Sequence, residues 1–212
     1  TLDWALRLVV VVVLPATAAL IVLAGPLTVT LFHYGEFNAH DVRMAALALT
    51  AYASGLLAFS MVKVLAPGYF ARQDTRTPVR IGIQALSVNM ALNLLVVLPL
   101  AFAYPDRPGL HALLALNNAI GAWYNSTMLY RGLRKQGVLH HAPGWRRMLW
   151  QVLAGVVLMT AFLWFVAGDT ERWIAMGAWS RIQWMTLLVV GGAGLYFGTL
   201  YVCGLRLREL RV

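Results

Sequence analysis

Few residues of this 212-residue chain could do chemistry, and one group of those that fall inside its long apolar stretches is of amides. Asn89 and Asn93 lie four apart, and Asn118 and Asn125 lie seven apart with Gly121 between them, so each set falls on one helical face. Amides so arranged can bond helix to helix, worth about 0.6 to 2 kcal/mol per contact in a membrane, or they can form a polar wall of a cavity. A second group is basic: Lys63, Arg72, Arg76 and Arg80 surround a single Asp74 in the stretch VKVLAPGYFARQDTRTPVRIG, residues 62–82. The planar guanidinium fork suits a phosphate. The same residues would equally fix topology and attract anionic lipid, at about 1 kcal/mol per basic residue near the surface. No catalytic set is visible. His33, His40, His111, His140 and His141 show no HExxH spacing and no clustered carboxylates. Cys203 is alone and matches no disulfide, metal or redox spacing. We expect no catalytic residue, metal ligand or cofactor.

The elements that must position these residues follow from composition. With 60% hydrophobic and 12% charged residues the chain is no water-soluble globule, and the +9 net charge does not imply a nucleic-acid partner. Hydrocarbon about 30 Å thick needs about 20 helical residues to cross it. Six uncharged stretches qualify: Leu8–Gly35, Met44–Val62, Ile81–Pro105, Pro108–Tyr130, Met148–Gly168 and Ile182–Leu205. They predict an all-α, polytopic bundle with transmembrane helices over about 4–24, 44–63, 79–104, 109–131, 148–168 and 182–205. Gly25-Pro26 should end the first helix, leaving an interfacial segment over 27–41. Thr77 should cap a helix whose first turn starts at Pro78.

Basic residues concentrate in alternate connections. Arg7, then Lys63 to Arg80, then Arg131, Arg134, Lys135, Arg146 and Arg147, then Arg206, Arg208 and Arg211 share one side, which the positive-inside rule makes cytoplasmic. Both ends of the chain are then cytoplasmic. No Asp, Glu, Lys or Arg occupies the middle of a span, so a proton relay has no candidate. Pro15 should kink the first helix, as a hinge or as plain shape adjustment. Gly194 and Gly198 form a GxxxG pair that should let the last helix pack closely on its neighbour. The chain starts at Thr1 rather than Met and reads as a piece of a longer protein.

The stretch KVLAPGYFARQDTRTPVRIG resembles a cytoplasmic connection of the MurJ (MviN) family of lipid II flippases. GPLTVTLFHYGEFNAHD, LRKQG and the following PGW at Pro143 to Trp145 are similar to later family segments. The resemblance implies the last six helices of a fourteen-helix transporter of the MOP superfamily. Residues 1–139 would be late helices of its second lobe, and 140–212 two final helices flanking a groove for a polyprenyl tail. It also implies alternating-access transport of the undecaprenyl-linked peptidoglycan precursor, lipid II, across the bacterial inner membrane, without ATP. Lipid II, anionic lipids and a missing N-terminal lobe would be the partners, with that lobe holding the headgroup. Arg72, Arg76 and Arg80, with Lys63 and Asp74, would act as a cytoplasmic gate or lipid-phosphate contact. A related exporter of other polysaccharide lipids or drugs, or a membrane scaffold, is the alternative.

Overall fold

The computed structural model describes residues 2–104, 109–139 and 143–204. These residues form helices and no strand. The order is α1 (Leu2–Val22), α2 (Ala24–Phe32), α3 (Ala39–Ala53), α4 (Leu56–Phe70), α5 (Arg76–Leu92), a π-helical turn (Asn93–Val97), α6 (Leu98–Ala103), α7 (Leu110–Lys135), α8 (Trp145–Ala167), α9 (Thr170–Ala175) and α10 (Ala178–Val202). Expected span ends at Pro105, Pro108 and Leu205 lie outside the described residues, as do His140, His141, Arg206, Arg208 and Arg211.

Five segments are long and apolar enough to cross a membrane: Leu2–Val22, Ala39–Phe70, Arg76–Ala103, Trp145–Ala167 and Ala178–Val202. Of the six expected spans, α7 has the length, at 26 residues, but its amides and hydroxyls keep it from matching the others in apolarity. The outward surface is correspondingly greasy, with Leu95, Phe102, Trp164 and Val190 each exposed by more than half. In a bilayer that costs nothing, since lipid replaces water as the solvent.

Two cores share α1. One gathers Val10 and Val11 of α1 with Val29, Val152, Met159, Leu163, Trp173, Leu188 and Tyr196 from α2, α8, α9 and α10. The other joins Leu6 of α1 to Leu65, Tyr69, Ile81, Leu129 and Leu133 of α4, α5 and α7. In this second half α7 is the axis, packed against α3, α4 and α5. Close approach is set by single glycines: a methyl at Gly55 would come within 2.8 Å of Ala119, and one at Gly68 within 2.8 Å of Leu2.

Local rules redraw several expected boundaries. The second span, expected over 44–63, extends through 39–70 and is broken at Ser54-Gly55. Helix α4 runs on past residue 63 to Phe70 with Pro67 inside it, so the basic connection shrinks to residues 71–75. Helix α4 closes by a Schellman pattern, with Asp74 N–H donating to Tyr69 O at 3.2 Å and Gln73 taking the left-handed φ of 59°. Helix α5 then starts two residues earlier than expected, with Thr75 and not Thr77 at its N-cap position, and Asp74 just before it supplies the acceptor: the Thr77 N–H donates to Asp74 Oδ1 at 3.0 Å. The segment after α1 is also reassigned. Helix α1 ends at Val22, and Gly25-Pro26 fall in the first turn of the nine-residue α2, which packs against α3, α9 and α10 with Thr28, Val29 and Thr30 buried.

The π-helical turn was invisible in the hydropathy pattern, and Pro99 supplies its physical reason. A proline ring collides with the carbonyl four residues back and offers that carbonyl no donor. Widening the turn just before it, with Leu98 N–H donating to Asn93 O, accommodates both.

Candidate functional site: an apolar groove and an amide cleft

An open groove of about 280 Å³ runs between α1, α8 and α10. Its walls include Val12, Pro15, Ala16 and Ala19 from α1, with Leu23 just after it, Met159 and Leu163 from α8, and Leu188, Gly192, Tyr196 and Phe197 from α10. No charged side chain lines it. Such a wall holds a hydrocarbon chain by burying methylenes, worth about 0.8 kcal/mol per CH2 from water and much less from lipid. The expected groove had two helices; α1 adds the third wall.

Small residues open this groove, though not the pair the GxxxG spacing suggests. Gly194 and Gly198 are exposed, and a methyl added at either would meet no neighbouring atom within 4 Å. Helix α8 packs instead on the other glycine face. Phe162 lies against Gly191, Leu163 and Met159 lie against Gly192, and Gly155 of α8 receives the ring of Tyr196. The motif reported correctly that α10 could be approached closely but selected the wrong side of the helix.

The amides converge on a second site. Asn117 Nδ2 donates to Asn93 Oδ1 at 2.8 Å, Asn93 Nδ2 to Asn89 Oδ1 at 3.2 Å, and Asn89 Nδ2 to Asn118 Oδ1 at 3.0 Å. This relay ties α5 to α7 beside the π-helical turn. Asn117, 5% exposed, is its most buried member and was missed by spacing, although its adjacency to Asn118 was a usable signal. Asn125 stands apart: its Oδ1 is buried without a partner, and it lines a cleft of about 390 Å³ with Lys63, Asn89, Asn118 and Gly121. Asn89, Asn93 and Asn118 therefore bond between helices, while Asn89, Asn118 and Asn125 also face a cavity.

The five charged residues expected to act together are divided. Lys63 lies within α4 and belongs to the amide cleft. Arg72 Nη1 donates to Gln136 Oε1 at 3.1 Å, tying the turn after α4 to the end of α7. Hydrogen bonds from the Thr77 side chain and backbone, with Arg72 nearby, hold the Asp74 carboxyl below the usual carboxylate range. Arg76 and Arg80 are exposed one turn apart on α5. At this same end Arg7, only 6% exposed, pairs with Asp3 at 2.9 Å and donates to Pro143 O at 3.2 Å, while Trp145 Nε1 donates to Asp3 Oδ1 at 2.7 Å. Helix α1 is thus stitched to the start of α8.

The opposite end holds a buried arginine. Arg181, 6% exposed, donates to the carbonyls of Trp173, Ile174, His33 and Val29 at 3.0, 2.9, 3.1 and 3.4 Å, and its guanidinium lies 5.7 Å from the Tyr34 ring centroid. The C-terminal ends of α2 and α9 converge on it, and helix C-termini attract cations. Among the described residues no three His, Cys, Asp or Glu side chains gather as a metal site.

A bundle of long apolar helices, lipid-facing on its outside and carrying an apolar groove, defines a multi-pass α-helical membrane protein. The family model described as "Lipid II flippase MurJ" matches residues 1–182. The chain is 40% identical over 216 residues to the probable lipid II flippase MurJ of Vibrio cholerae, covering 100% of this chain and 38% of that protein. It is 39% identical over 212 residues to the lipid II flippase MurJ of Burkholderia cenocepacia, covering 99% of this chain and 39% of that one. A probable lipid II flippase MurJ of Haemophilus influenzae is 38% identical over 210 residues, with 99% and 39% covered. The chain belongs to the lipid II flippase MurJ family. It spans about two fifths of the length of these relatives.

Proposed function

We propose that this chain is the tail-holding part of a lipid II flippase, a transporter and not an enzyme, in the bacterial inner membrane. The observation that carries the reading is the groove between α1, α8 and α10: an open, uncharged channel suits the undecaprenyl chain and offers nothing to a sugar, peptide or pyrophosphate. Family membership supplies the cargo. The headgroup would be gripped by a further lobe, giving fourteen helices and alternating access in the whole protein. The basic end, with Arg7, Arg72, Arg76 and Arg80, would face the cytoplasm and anionic lipid, and both termini of the chain would then be cytoplasmic.

Depletion of the full-length protein in cells without another flippase tests this. Lipid II accessible at the outer surface should fall while the total rises. Undiminished outward delivery refutes the proposal, and intact wall growth with lost efflux of another cargo reassigns the protein to a related exporter.

A further inference from the structure

Pro15 lies at the middle of α1 and brings no N–H, so the carbonyl four residues earlier, that of Val11, has no donor within the helix. In hydrocarbon no water can replace it. The structure supplies the donor from the far end of the chain: Tyr196 Oη of α10 donates to Val11 O at 2.6 Å. Tyr196 is 1% exposed, and its ring stands on Gly155 of α8, where even a methyl would come within 3.0 Å of it. Three helices therefore meet at one hydrogen bond, and both Pro15 and Tyr196 line the apolar groove.

We infer that Pro15 and Tyr196 are a matched pair that keeps the groove floor free of unsatisfied polar atoms, making Tyr196 a positioning and specificity-determining residue for a chain of pure hydrocarbon. The inference rests on reading the groove as the site of the lipid chain. Its logic is reciprocal. The tyrosine hydroxyl is the one polar side-chain group in the groove wall, and the Val11 carbonyl is the one backbone acceptor that Pro15 frees; each satisfies the other. Without the hydroxyl the Val11 carbonyl behind the groove wall has no donor that hydrocarbon can supply, so a chain bearing a hydroxyl loses its disadvantage against an apolar one. With an ordinary residue at position 15, the helix satisfies Val11 itself, and phenylalanine at position 196 becomes harmless.

The test uses the full-length protein in nanodiscs and a photoreactive geranylgeranyl phosphate, set against an analogue hydroxylated near the chain's middle. The unaltered protein should label preferentially with the unmodified probe. Tyr196→Phe should bind that probe about tenfold more weakly, the cost of one stranded buried acceptor, and should narrow the preference between the two probes. Pro15→Ala in the Tyr196→Phe background should restore both affinity and preference, which a role in packing alone would not produce. If Tyr196→Phe does not fold, the double variant must fold and bind like the unaltered protein. Unchanged affinity and preference in Tyr196→Phe, or no rescue by Pro15→Ala, overturns the inference while leaving the groove assignment standing. Failure of the unaltered protein to label overturns the groove assignment, and the inference with it.

Discussion

Replacing Arg181 by methionine keeps an unbranched stem of about the aliphatic part's length and removes the guanidinium with its charge and all its donors. Two opposing effects then decide the outcome. The guanidinium donates to four carbonyls, but those of Val29 and Trp173 also accept the N–H groups of His33 and Met176, so the substitution strands chiefly the carbonyls of His33 and Ile174. At about 1 to 3 kcal/mol for each stranded acceptor, and with both bonds only partly buried, the loss is about 2 to 4 kcal/mol. Against it stands relief of the desolvation penalty of a buried cation, several kcal/mol when nothing compensates. Here the ends of α2 and α9 do compensate, each presenting the negative pole of its peptide dipoles. The stranded carbonyls should therefore win, with a net destabilisation of about 3 kcal/mol. Thermal unfolding in detergent, followed by the fluorescence of Trp173 and Trp184, measures it; each kcal/mol corresponds to roughly 2–4 °C for a domain of this size. Arg181→Lys should fall between, since an ammonium cannot fork across two helix ends. Methionine at no cost, or with a gain, would show that desolvation dominates and would refute the clamp.

Three further outcomes follow from single contacts. A methyl at Gly132 would overlap the hydroxyl of Tyr69, which donates to Leu129 O at 2.9 Å, so Gly132→Ala should lose about 3 kcal/mol in the same unfolding assay and recover part of it with Tyr69→Phe. Gly194→Ala and Gly198→Ala meet open space and should stay within about 0.5 kcal/mol of the original stability, while Gly155→Ala, pressed on the Tyr196 ring, should not. Asp74 carries a pH dependence: its folded pKa is depressed, so its stabilisation is present above the unfolded value of about 3.9 and is lost as pH falls through the lower folded one. Amide exchange at Thr77 should be evenly protected above about pH 4 and lose protection below it, and Asp74→Asn should abolish that acid dependence.

What the sequence made legible was whatever repeats along one helix. Long uncharged runs placed the helices to within a turn or so, except where Gly55 split one and its second half ran on past Lys63 to Phe70. The four-residue spacing of Asn89 and Asn93 put both on the face that meets α7, Asn89 at Asn118 and Asn93 at Asn117. Rotation about the helix axis is not written in such spacing. Asn117 and Asn118 point about 100° apart, and only the packing of α5 on α7 shows that both are used. The same indeterminacy misdirected the glycines of α10, where residues 191 and 192 face α8 and residues 194 and 198 do not. Arg181 was illegible for a different reason: two of its partners are backbone carbonyls about 150 positions away, and a carbonyl leaves no mark in a sequence.

Backbone irregularity explains where the long-range polar contacts fall. Pro15 frees the carbonyl of Val11, and Tyr196 of α10 caps it. The break at Ser54-Gly55 leaves the Ser54 carbonyl at a helix end, and the indole of Trp123 on α7 donates to it at 3.0 Å. The ends of α2 and α9 expose carbonyls that Arg181 gathers. In each case the irregularity is local and readable, while its donor is remote. Water would serve as that donor in a soluble protein, and the irregularity would then constrain nothing beyond itself. In a bilayer a freed carbonyl must be accommodated locally, as by the π-helical turn before Pro99, or recruit a side chain from elsewhere in the bundle, so a proline or a broken helix can specify a tertiary contact as well as a bend. Tyr196, Trp123 and Arg181 should accordingly tolerate substitution less well than apolar residues of equal burial, because each one's loss strands an acceptor on a different helix.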